Sequence, residues 1–220
     1  VYEADDTYTD PVTGKPIDQF SHRLLYGVSK TGKTSFAIVR TGAYIPYGFG
    51  GFIYQRTGGV TLPTSGQAHF SGDYAGIRDF NGTGGLEYTD GQMTIDIDFN
   101  DFNAGAGVAG YVTDRHIYDV NGVDITDQVV SAFNSTNGAS ITELPVLTFN
   151  VGPGAMDANG EISGLLGSYY TDSSGAAATY ESGQYYAVIA GDNASEVTGI
   201  IVVTSTDPRA SGVTARETGG

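Results

Sequence analysis

The sequence predicts an all-β fold: an eight-stranded antiparallel β-barrel with an N-terminal β-rich extension and one short helix in a loop. Between residues 62 and 204, small or polar residues alternate with large apolar ones, most clearly at 67–74, 93–99 and 199–203. A period of two indicates strands that bury one face. Glycine-rich turns separate these segments, as is typical of antiparallel barrels. Eight strands form a barrel whose interior side chains can just fill.

The predicted elements run from a polar lead to a polar tail. Residues 1–22 predict an extended or loosely docked lead, residues 35–40 a strand, and residues 44–54 an aromatic, glycine-rich segment. The barrel strands are predicted near 66–79, 85–89, 92–100, 106–118, 145–151, 160–170, 184–191 and 196–204. The predicted domains are an N-terminal extension or reduced handle-like β region at 1–60, a barrel at 61–205 and a flexible tail at 206–220.

Two dipeptides predict tight turns between strands. Asp90-Gly91 and Asn159-Gly160 each lie between alternating segments. Asn-Gly and Asp-Gly are the preferred pairs for type I′ hairpin turns, because both central residues must adopt positive φ.

One stretch of the chain departs from the strand pattern. Residues 127–134 place Val129, Val130 and Phe133 at helical spacing, after Thr126 as an N-cap. The sequence therefore predicts a short surface helix in a long loop between two barrel strands.

Composition excludes several classes of function. Ten basic residues against 25 acidic ones give a formal net charge of −15, the wrong sign for binding a nucleic-acid backbone. An acidic surface keeps an exposed protein soluble and favours cationic partners. The chain contains no cysteine, which excludes disulfides, thiolate metal sites and cysteine nucleophiles.

Residues 27–34 match the pattern G-x-x-x-x-G-K-T of a phosphate-binding loop. That loop requires a buried strand before it and a helix after it. The residues that follow, 35–40, have the composition of a strand, and the chain shows no βαβ alternation. We therefore interpret the motif as a polar hairpin loop.

No cofactor, metal site or catalytic constellation is predicted. Asp96, Asp98 and Asp101 are close together, but the ligand-rich loop of a calcium-binding hand is missing. A solvent-facing strand edge is the preferred interpretation, because charged residues protect sheets from unwanted pairing. The three histidines lack a serine or cysteine nucleophile elbow, so a hydrolytic triad has no support.

The aromatic, glycine-rich segment is the predicted contact surface. Its candidate binding residues are Tyr44, Tyr47, Phe49, Phe52 and Tyr54, since exposed aromatic residues are common hot spots of recognition. The same rings could instead pack over one end of the barrel. The loop at 119–144 is a second candidate, because loops on a rigid scaffold often carry recognition.

Three segments resemble the transferrin-binding protein B-like family. Residues 62–76, LPTSGQAHFSGDYAG, resemble its opening barrel strand, a proline followed by SG-x-A-x-[Tyr/Phe]-x-G. Asp98-Phe99 with Gly107 and Gly110 resembles its aspartate-phenylalanine and glycine-x-x-glycine hairpin. Residues 191–203 are similar to its final hairpin, where A-x-E-x-x-G precedes the closing strand. The resemblance covers residues 60–205.

The resemblance implies an eight-stranded barrel on an outer-membrane lipoprotein of a Gram-negative bacterium. Relatives capture host transferrin, haem-carrying proteins or complement factor H. The lipidated cysteine is absent from this sequence, so the resemblance implies either a lipid anchor upstream of Val1 or a released protein. The chain has one lobe where the transferrin binders have two, and it lacks a match to their transferrin-contacting loops. The partner therefore stays unidentified.

The sequence thus predicts a non-enzymatic bacterial binding protein at the outer-membrane surface or outside the cell. Its partner is a macromolecule or a small ligand, and not a nucleic acid. One alternative is a self-assembling subunit of a surface layer or filament, in which the N-terminal lead or C-terminal tail pairs with a neighbouring sheet edge. Another is a carbohydrate-active enzyme with two glutamates as acid and base, although no pattern places two of them together.

Overall fold

The structure is a computed structural model that describes residues 1–4, 8–17, 22–41, 50–100, 107–150 and 155–220. Its first seven strands are β1 (Tyr2–Ala4), β2 (Tyr8–Thr9), β3 (Pro16–Ile17), β4 (His22–Val28), β5 (Thr34–Thr41), β6 (Gly50–Arg56) and β7 (Val60–Thr61). The longer part of the chain contains β8 (Gln67–Asn81), β9 (Leu86–Asp98), β10 (Val108–Tyr118), α1 (Thr126–Asn137), β11 (Leu147–Phe149), β12 (Glu161–Thr171), β13 (Ala177–Asp192), β14 (Glu196–Thr206) and β15 (Thr214–Gly219).

Strands β8 to β15 form a closed antiparallel barrel. Each strand pairs with the next one along the chain, and β15 pairs with β8 to complete the ring. The predicted all-β class, with an eight-stranded barrel and a short helix, is confirmed. The short strand β7 adds a parallel pairing to β13.

The two strands predicted at 85–89 and 92–100 are one strand, β9. Asp90 and Gly91 lie inside it, and Asp90 is paired with His116, so the predicted turn at this dipeptide is wrong. A Cβ atom at Gly91 would lie 2.9 Å from the carbonyl oxygen of Thr113 on β10. Glycine is needed here for the close approach of two strands rather than for a turn.

The turn predicted at Asn159-Gly160 is present, before β12, but it is not of type I′. Gly160 donates a backbone hydrogen bond of 3.1 Å to the Asp157 carbonyl and has a φ of +72°. Asn159 is not among the residues with positive φ, which type I′ requires at both central positions. The Asp157 carboxylate accepts bonds from the backbone of Asn159 and Glu161, at 2.9 and 2.8 Å, and this side chain fixes the turn.

Strand β15 consists of residues predicted to form a flexible tail. It pairs with β14 on one side and with β8 on the other, and Ala215, Glu217 and Thr218 are almost completely buried. The tail prediction for 206–220 is therefore wrong at residues 214–219. The predicted number of barrel strands is correct because this missed strand compensates for the division of β9.

The N-terminal extension forms a four-stranded sheet in the order β1-β4-β5-β6, and β2 and β3 form a separate two-stranded sheet. Strand β5 contains the segment predicted as a strand at 35–40, and β6 begins within the aromatic, glycine-rich segment predicted at 44–54. The sheet packs on the barrel through an apolar cluster made of Leu25, Ile38, Ile77 and Ile200.

A buried polar contact also fixes this sheet to the barrel. Arg40 on β5 donates a 2.6 Å hydrogen bond to the hydroxyl of Thr218 on β15, and its Nε lies 3.3 Å from the carboxylate of Asp79 on β8. The contact is buried and joins defined donor and acceptor atoms. It therefore fixes the orientation of the sheet on the barrel.

Helix α1 packs against one end of the barrel. Val129, Val130 and Phe133 are buried, as predicted, and the Phe133 ring contacts Tyr180 edge-on at a centroid distance of 4.6 Å. The N-cap prediction is wrong, because Ile125 is the N-cap and the Thr126 hydroxyl instead accepts a 2.9 Å bond from the Ile117 amide. No helix among the described residues combines the length and apolarity that crossing a membrane requires.

Candidate binding surfaces

A layer of charged side chains crosses the barrel interior; we call it the ionic layer. Its members are Arg78, Glu87, Arg115, Glu181, Arg209 and Glu217. Arg115 donates to both carboxylate oxygens of Glu181, at 2.8 and 3.1 Å, and Arg209 donates to Glu87 at 2.6 Å. Arg209 also donates to the buried carboxylate of Asp207 at 2.9 Å, so the three arginines are paired with four carboxylates.

Hydroxyl groups complete the hydrogen bonding of the ionic layer. Tyr74 donates to Glu217 at 2.7 Å, and Ser168 donates to Glu181 at 2.8 Å. Burial, followed by the charge of Glu217, raises the pKa of Tyr74 well above its ordinary value, so this hydroxyl is a neutral donor at physiological pH. The buried carboxylates thus accept hydrogen bonds from other residues of the barrel interior. Such a network of satisfied polar groups stabilises and orders a protein core.

Two of the predicted aromatic binding residues lie within the described chain. Phe52 stacks on Tyr186 of the barrel at a centroid distance of 6.1 Å, and Tyr54 packs against the cluster that contains Leu25 and Ile38. Both rings are therefore directed towards the barrel, in the packing role considered above. The other three residues, Tyr44, Tyr47 and Phe49, lie outside the described residues.

The opposite face of the N-terminal sheet is exposed and apolar; we call it the outer apolar face. It consists of the outward-directed residues Tyr2, Leu24, Tyr26, Val28, Ala37, Val39 and Ile53. Tyr26 and Val28 on β4 are 54% and 51% exposed, and Ile53 on β6 is 62% exposed. Strand pairing places Tyr26 opposite Ala37, and Ala37 opposite Ile53. These side chains form one continuous surface across three strands.

The outer apolar face contains no charged residue at its described positions on β4, β5 and β6. Its polar members are His22, Ser35, Thr41 and Gln55. A chain with a net charge of −15 thus keeps one sheet face free of Asp, Glu, Lys and Arg at these positions. Residues 24, 26 and 28 are apolar in the sequence, but Leu25 between them is apolar too, and such a pattern alone does not say which face of a strand is covered.

The remaining sequence motifs form a hairpin and a surface ion pair. The G-x-x-x-x-G-K-T residues form the end of β4, a turn and the start of β5, in agreement with the hairpin interpretation. Asp96 pairs with His69 at 2.7 Å with both side chains more than half exposed. Within the described part of the chain, no group of three or more metal-ligating side chains is assembled.

The predicted loop surface at 119–144 is occupied in part by α1. The acidic residues Asp119 and Asp124 accept hydrogen bonds from the backbone of their own turns, at 2.9 Å from Val123 and 2.8 Å from Thr126. Local hydrogen bonds lower the pKa of both carboxyl groups. These side chains shape the loop and keep it negatively charged.

Comparisons with known proteins give a likeness in fold alone. No family model and no curated protein matches the chain. A point mutant of transferrin-binding protein B from Haemophilus parasuis is 10% identical with a TM-score of 0.44, over 94% of this chain. A double mutant of the same protein (11%, TM-score 0.44, 98% of this chain) and intact Ap-TbpB with its N and C lobes (11%, 0.44, 97%) are similar too. The chain spans 36–38% of the length of these solved chains.

Proposed function

We propose that this chain is a non-enzymatic binding protein that attaches to a protein partner through its outer apolar face. The observation that carries the proposal is the continuous, uncharged surface around Tyr26 and Ile53 on an otherwise acidic molecule. Large exposed apolar patches are rare on soluble proteins and mark interaction sites. A flat sheet face suits another protein surface, whereas small ligands bind in concave sites.

The support beneath this face favours recognition with little rearrangement. The inner side of the sheet is fixed to the barrel by Ile38 in its apolar cluster and by the Arg40 contacts with Thr218 and Asp79. A surface held in this way loses little conformational entropy on binding. Tyr26 and Ile53 lie on either side of Ala37. Aromatic residues are enriched and charged residues are depleted at the centre of protein interfaces.

The buried acids and bases of the described residues support a non-enzymatic role. Glu181 and Glu217 are hydrogen-bonded to arginines and hydroxyl groups inside the barrel, away from solvent. The outer-membrane or extracellular location belongs to the proposal and rests on the sequence resemblance described above. The three residues Tyr44, Tyr47 and Phe49 remain predicted contacts.

Site-specific crosslinking tests the proposal. A photo-reactive phenylalanine analogue replaces Tyr26 in one variant and Leu165, an exposed residue of the barrel wall, in the matched control. We expect position 26 to form a discrete adduct with one protein from the bacterium's surroundings, and position 165 to form none. The captured protein is then purified and its affinity is measured directly.

The substitution Ile53→Glu provides the quantitative criterion. Loss of a hot spot costs about 2 kcal/mol or more, which weakens Kd about thirty-fold. The change should leave the thermal midpoint almost unaltered, because the side chain is exposed. Equal affinity of the wild type and of Ile53→Glu would contradict the proposal. A dimer by light scattering that Ile53→Glu dissociates would assign the face to self-assembly instead.

A further inference from the structure

A groove crosses the outer surface of the barrel over β12, β13 and β14; we call it the wall groove. Its volume is about 470 Å³, and its lining includes Asn150, Leu165, Tyr169, Ser182, Gln184 and Thr204. Sites for small molecules have volumes of about 300–1,000 Å³. The wall groove therefore has the size of a small-molecule site.

The strand register gives the wall groove its shape. Two rows of residues, each paired across β12, β13 and β14, lie side by side on the outer surface and differ in side-chain size. The larger residues form the row Leu165, Gln184 and Val202, and the smaller ones form the row Gly167, Ser182 and Thr204. The groove follows the row of small residues, which the row of larger residues and Tyr169 border.

The ring of Tyr169 lies against β12 because residue 167 is glycine. A Cβ atom at Gly167 would lie 3.2 Å from the hydroxyl oxygen and 3.4 Å from Cζ of Tyr169, and 2.9 Å from the carbonyl oxygen of Glu181. The ring therefore occupies the space that a side chain at position 167 would fill. Tyr169 is nevertheless 52% exposed, so part of the ring remains open to a ligand in the groove.

The polar side chains of the wall groove keep free hydrogen-bonding groups. Oε1 of Gln184 accepts a hydrogen bond from the Tyr186 hydroxyl, which leaves its two amide N–H groups as donors. Within the part of the chain that the structure describes, the side chains of Asn150 and Ser182 have no hydrogen-bond partner. A ligand in the groove thus meets two primary amides and a hydroxyl group, which can donate and accept hydrogen bonds.

The lining of the wall groove is uncharged. No aspartate, glutamate, lysine or arginine of the described residues lines it, although the chain contains 25 acidic and ten basic residues. An anionic ligand would find no cation there, and a cationic ligand would find no carboxylate. The wall groove therefore favours a neutral ligand.

The backbone beneath the wall groove is already paired. Strand β12 pairs with β11 and β13, β13 pairs with β12 and β14, and β14 pairs with β13 and β15. A bound peptide strand needs an unpaired sheet edge, which the two rows do not offer. Recognition in the groove therefore depends on side chains.

We propose that the wall groove binds a neutral oligosaccharide. The C–H face of one sugar ring packs on the exposed part of Tyr169, because an aromatic ring offers an apolar face beside a polar hydroxyl. Hydroxyl groups of this sugar and of its neighbour form hydrogen bonds with Asn150, Ser182 and Gln184. An alkyl chain in the same place would leave these polar groups without partners.

A panel of neutral oligosaccharides tests the proposal by isothermal titration calorimetry. The panel contains short chains of glucose, galactose, mannose or N-acetylglucosamine, each with a sulfated counterpart. We expect at least one neutral member to bind with a Kd of about 1 mM or tighter. Its sulfated counterpart should bind about tenfold more weakly or worse, because the lining supplies no cation.

Substitutions at Tyr169 separate the role of the ring from that of its hydroxyl group. Tyr169→Ala removes the ring and should weaken Kd about tenfold or more, whereas Tyr169→Phe keeps the ring and should retain most of the affinity. The matched control is Tyr26→Ala, at a tyrosine of the outer apolar face that is 54% exposed, and it should leave Kd unchanged. Circular dichroism confirms that the variants keep the barrel.

Nuclear magnetic resonance locates the bound saccharide. The side-chain amide signals of Asn150 and Gln184 should shift as the saccharide is added, because these groups form hydrogen bonds with it. The side-chain amide of Gln55, on the outer apolar face, should not shift. Substitution Gln184→Ala should weaken binding in the same titration.

Three outcomes would overturn the proposal. One is the failure of every neutral member of the panel to bind at about 1 mM. Another is an equal Kd for the wild type and Tyr169→Ala. The third is a protein adduct at position 165, beside the groove, that persists after glycans are removed from the captured protein, which would assign the groove to a protein surface. Ile53→Glu should leave saccharide binding unchanged, so this test and that of the outer apolar face fail independently.

Discussion

Arg115 on β10 and Glu181 on β13 form a two-point ion pair in the barrel interior, with nitrogen–oxygen distances of 2.8 and 3.1 Å. Their side chains are 3% and 4% exposed. Arg115 also lies 3.4 Å from Glu217 on β15 and donates to the Pro145 carbonyl at 2.9 Å. One guanidinium group therefore connects three barrel strands with the segment before β11.

Replacing Arg115 by methionine should destabilise the protein severely. The change leaves Glu181 and Glu217 buried without this cation, and breaking a buried pair from one side costs about 3–5 kcal/mol. Urea denaturation measures the loss, with Lys15→Met, at an exposed position, as the control expected within about 0.5 kcal/mol of wild type. The variant Arg115→Lys keeps the charge without the two-point geometry and should lie between them. A loss below about 1 kcal/mol for Arg115→Met would contradict this role.

The same pair should make stability depend on pH in the acid range. Burial tends to raise the pKa of Glu181, but the charge and hydrogen bonds of Arg115, with the bond from Ser168, leave it below its ordinary value of 4.5. A folded-state pKa that is lowered contributes stability above the unfolded value and loses it as the pH falls through the folded value. The contribution of Glu181 should therefore be complete above 4.5 and decline below it.

The substitution Glu181→Gln isolates that contribution. Exposed aspartates titrate in the wild type and in the variant alike. The difference between their unfolding free energies, measured as a function of pH, therefore reports the titration of Glu181. We expect the wild type to be more stable at neutral pH and the two profiles to converge as the pH falls below 4.5. Parallel profiles would show that Glu181 does not titrate with folding.

Strand alternation predicted most of the barrel, but it could not predict the ionic layer. On β10, the inward positions 108, 110 and 112 are followed by 115 and 117, because a bulge with Asp114 at a φ of 49° shifts the phase. Strict alternation would direct Asp114 inward and Arg115 outward. The partners of Arg115 also lie 66 and 102 residues away along the chain, a separation that local patterns do not encode.

The candidate binding surfaces were predicted only in part, for a related reason. The sequence identified the N-terminal region but selected Phe52 and Tyr54, which face the barrel, and not Ile53 between them. Which face of a strand is exposed depends on the layer that packs beside it.

Two buried tyrosines should respond differently to loss of their hydroxyl groups. Tyr74 donates a 2.7 Å bond to Glu217, whereas the Tyr185 hydroxyl has no partner among the described residues. We expect Tyr74→Phe to lose about 1.5–3 kcal/mol, the range for hydrogen bonds to charged groups. Tyr185→Phe should be unchanged or slightly more stable, because it removes an unsatisfied polar group. Equal losses in urea denaturation would mean that the Tyr185 hydroxyl has found a partner.

Two glycines provide a matched test of the barrel spacing. A Cβ atom at Gly183 on β13 would overlap the Val202 carbonyl oxygen and lie 2.7 Å from the Val203 Cα on β14. Backbone atoms cannot rotate out of the way as a side chain can, so Gly183→Ala should cost about 1–3 kcal/mol. A Cβ atom at Gly51 on β6 would meet nothing within 4 Å, and Gly51→Ala should be neutral or stabilise by up to about 1 kcal/mol.

Thermal and urea denaturation of both glycine variants measure the difference. Because both changes add the same methyl group to a strand, the effect on the unfolded chain cancels in the comparison. The remaining difference reports the overlap at β13 and β14 alone. Equal stability of the two variants would mean that a methyl group at position 183 finds room between β13 and β14.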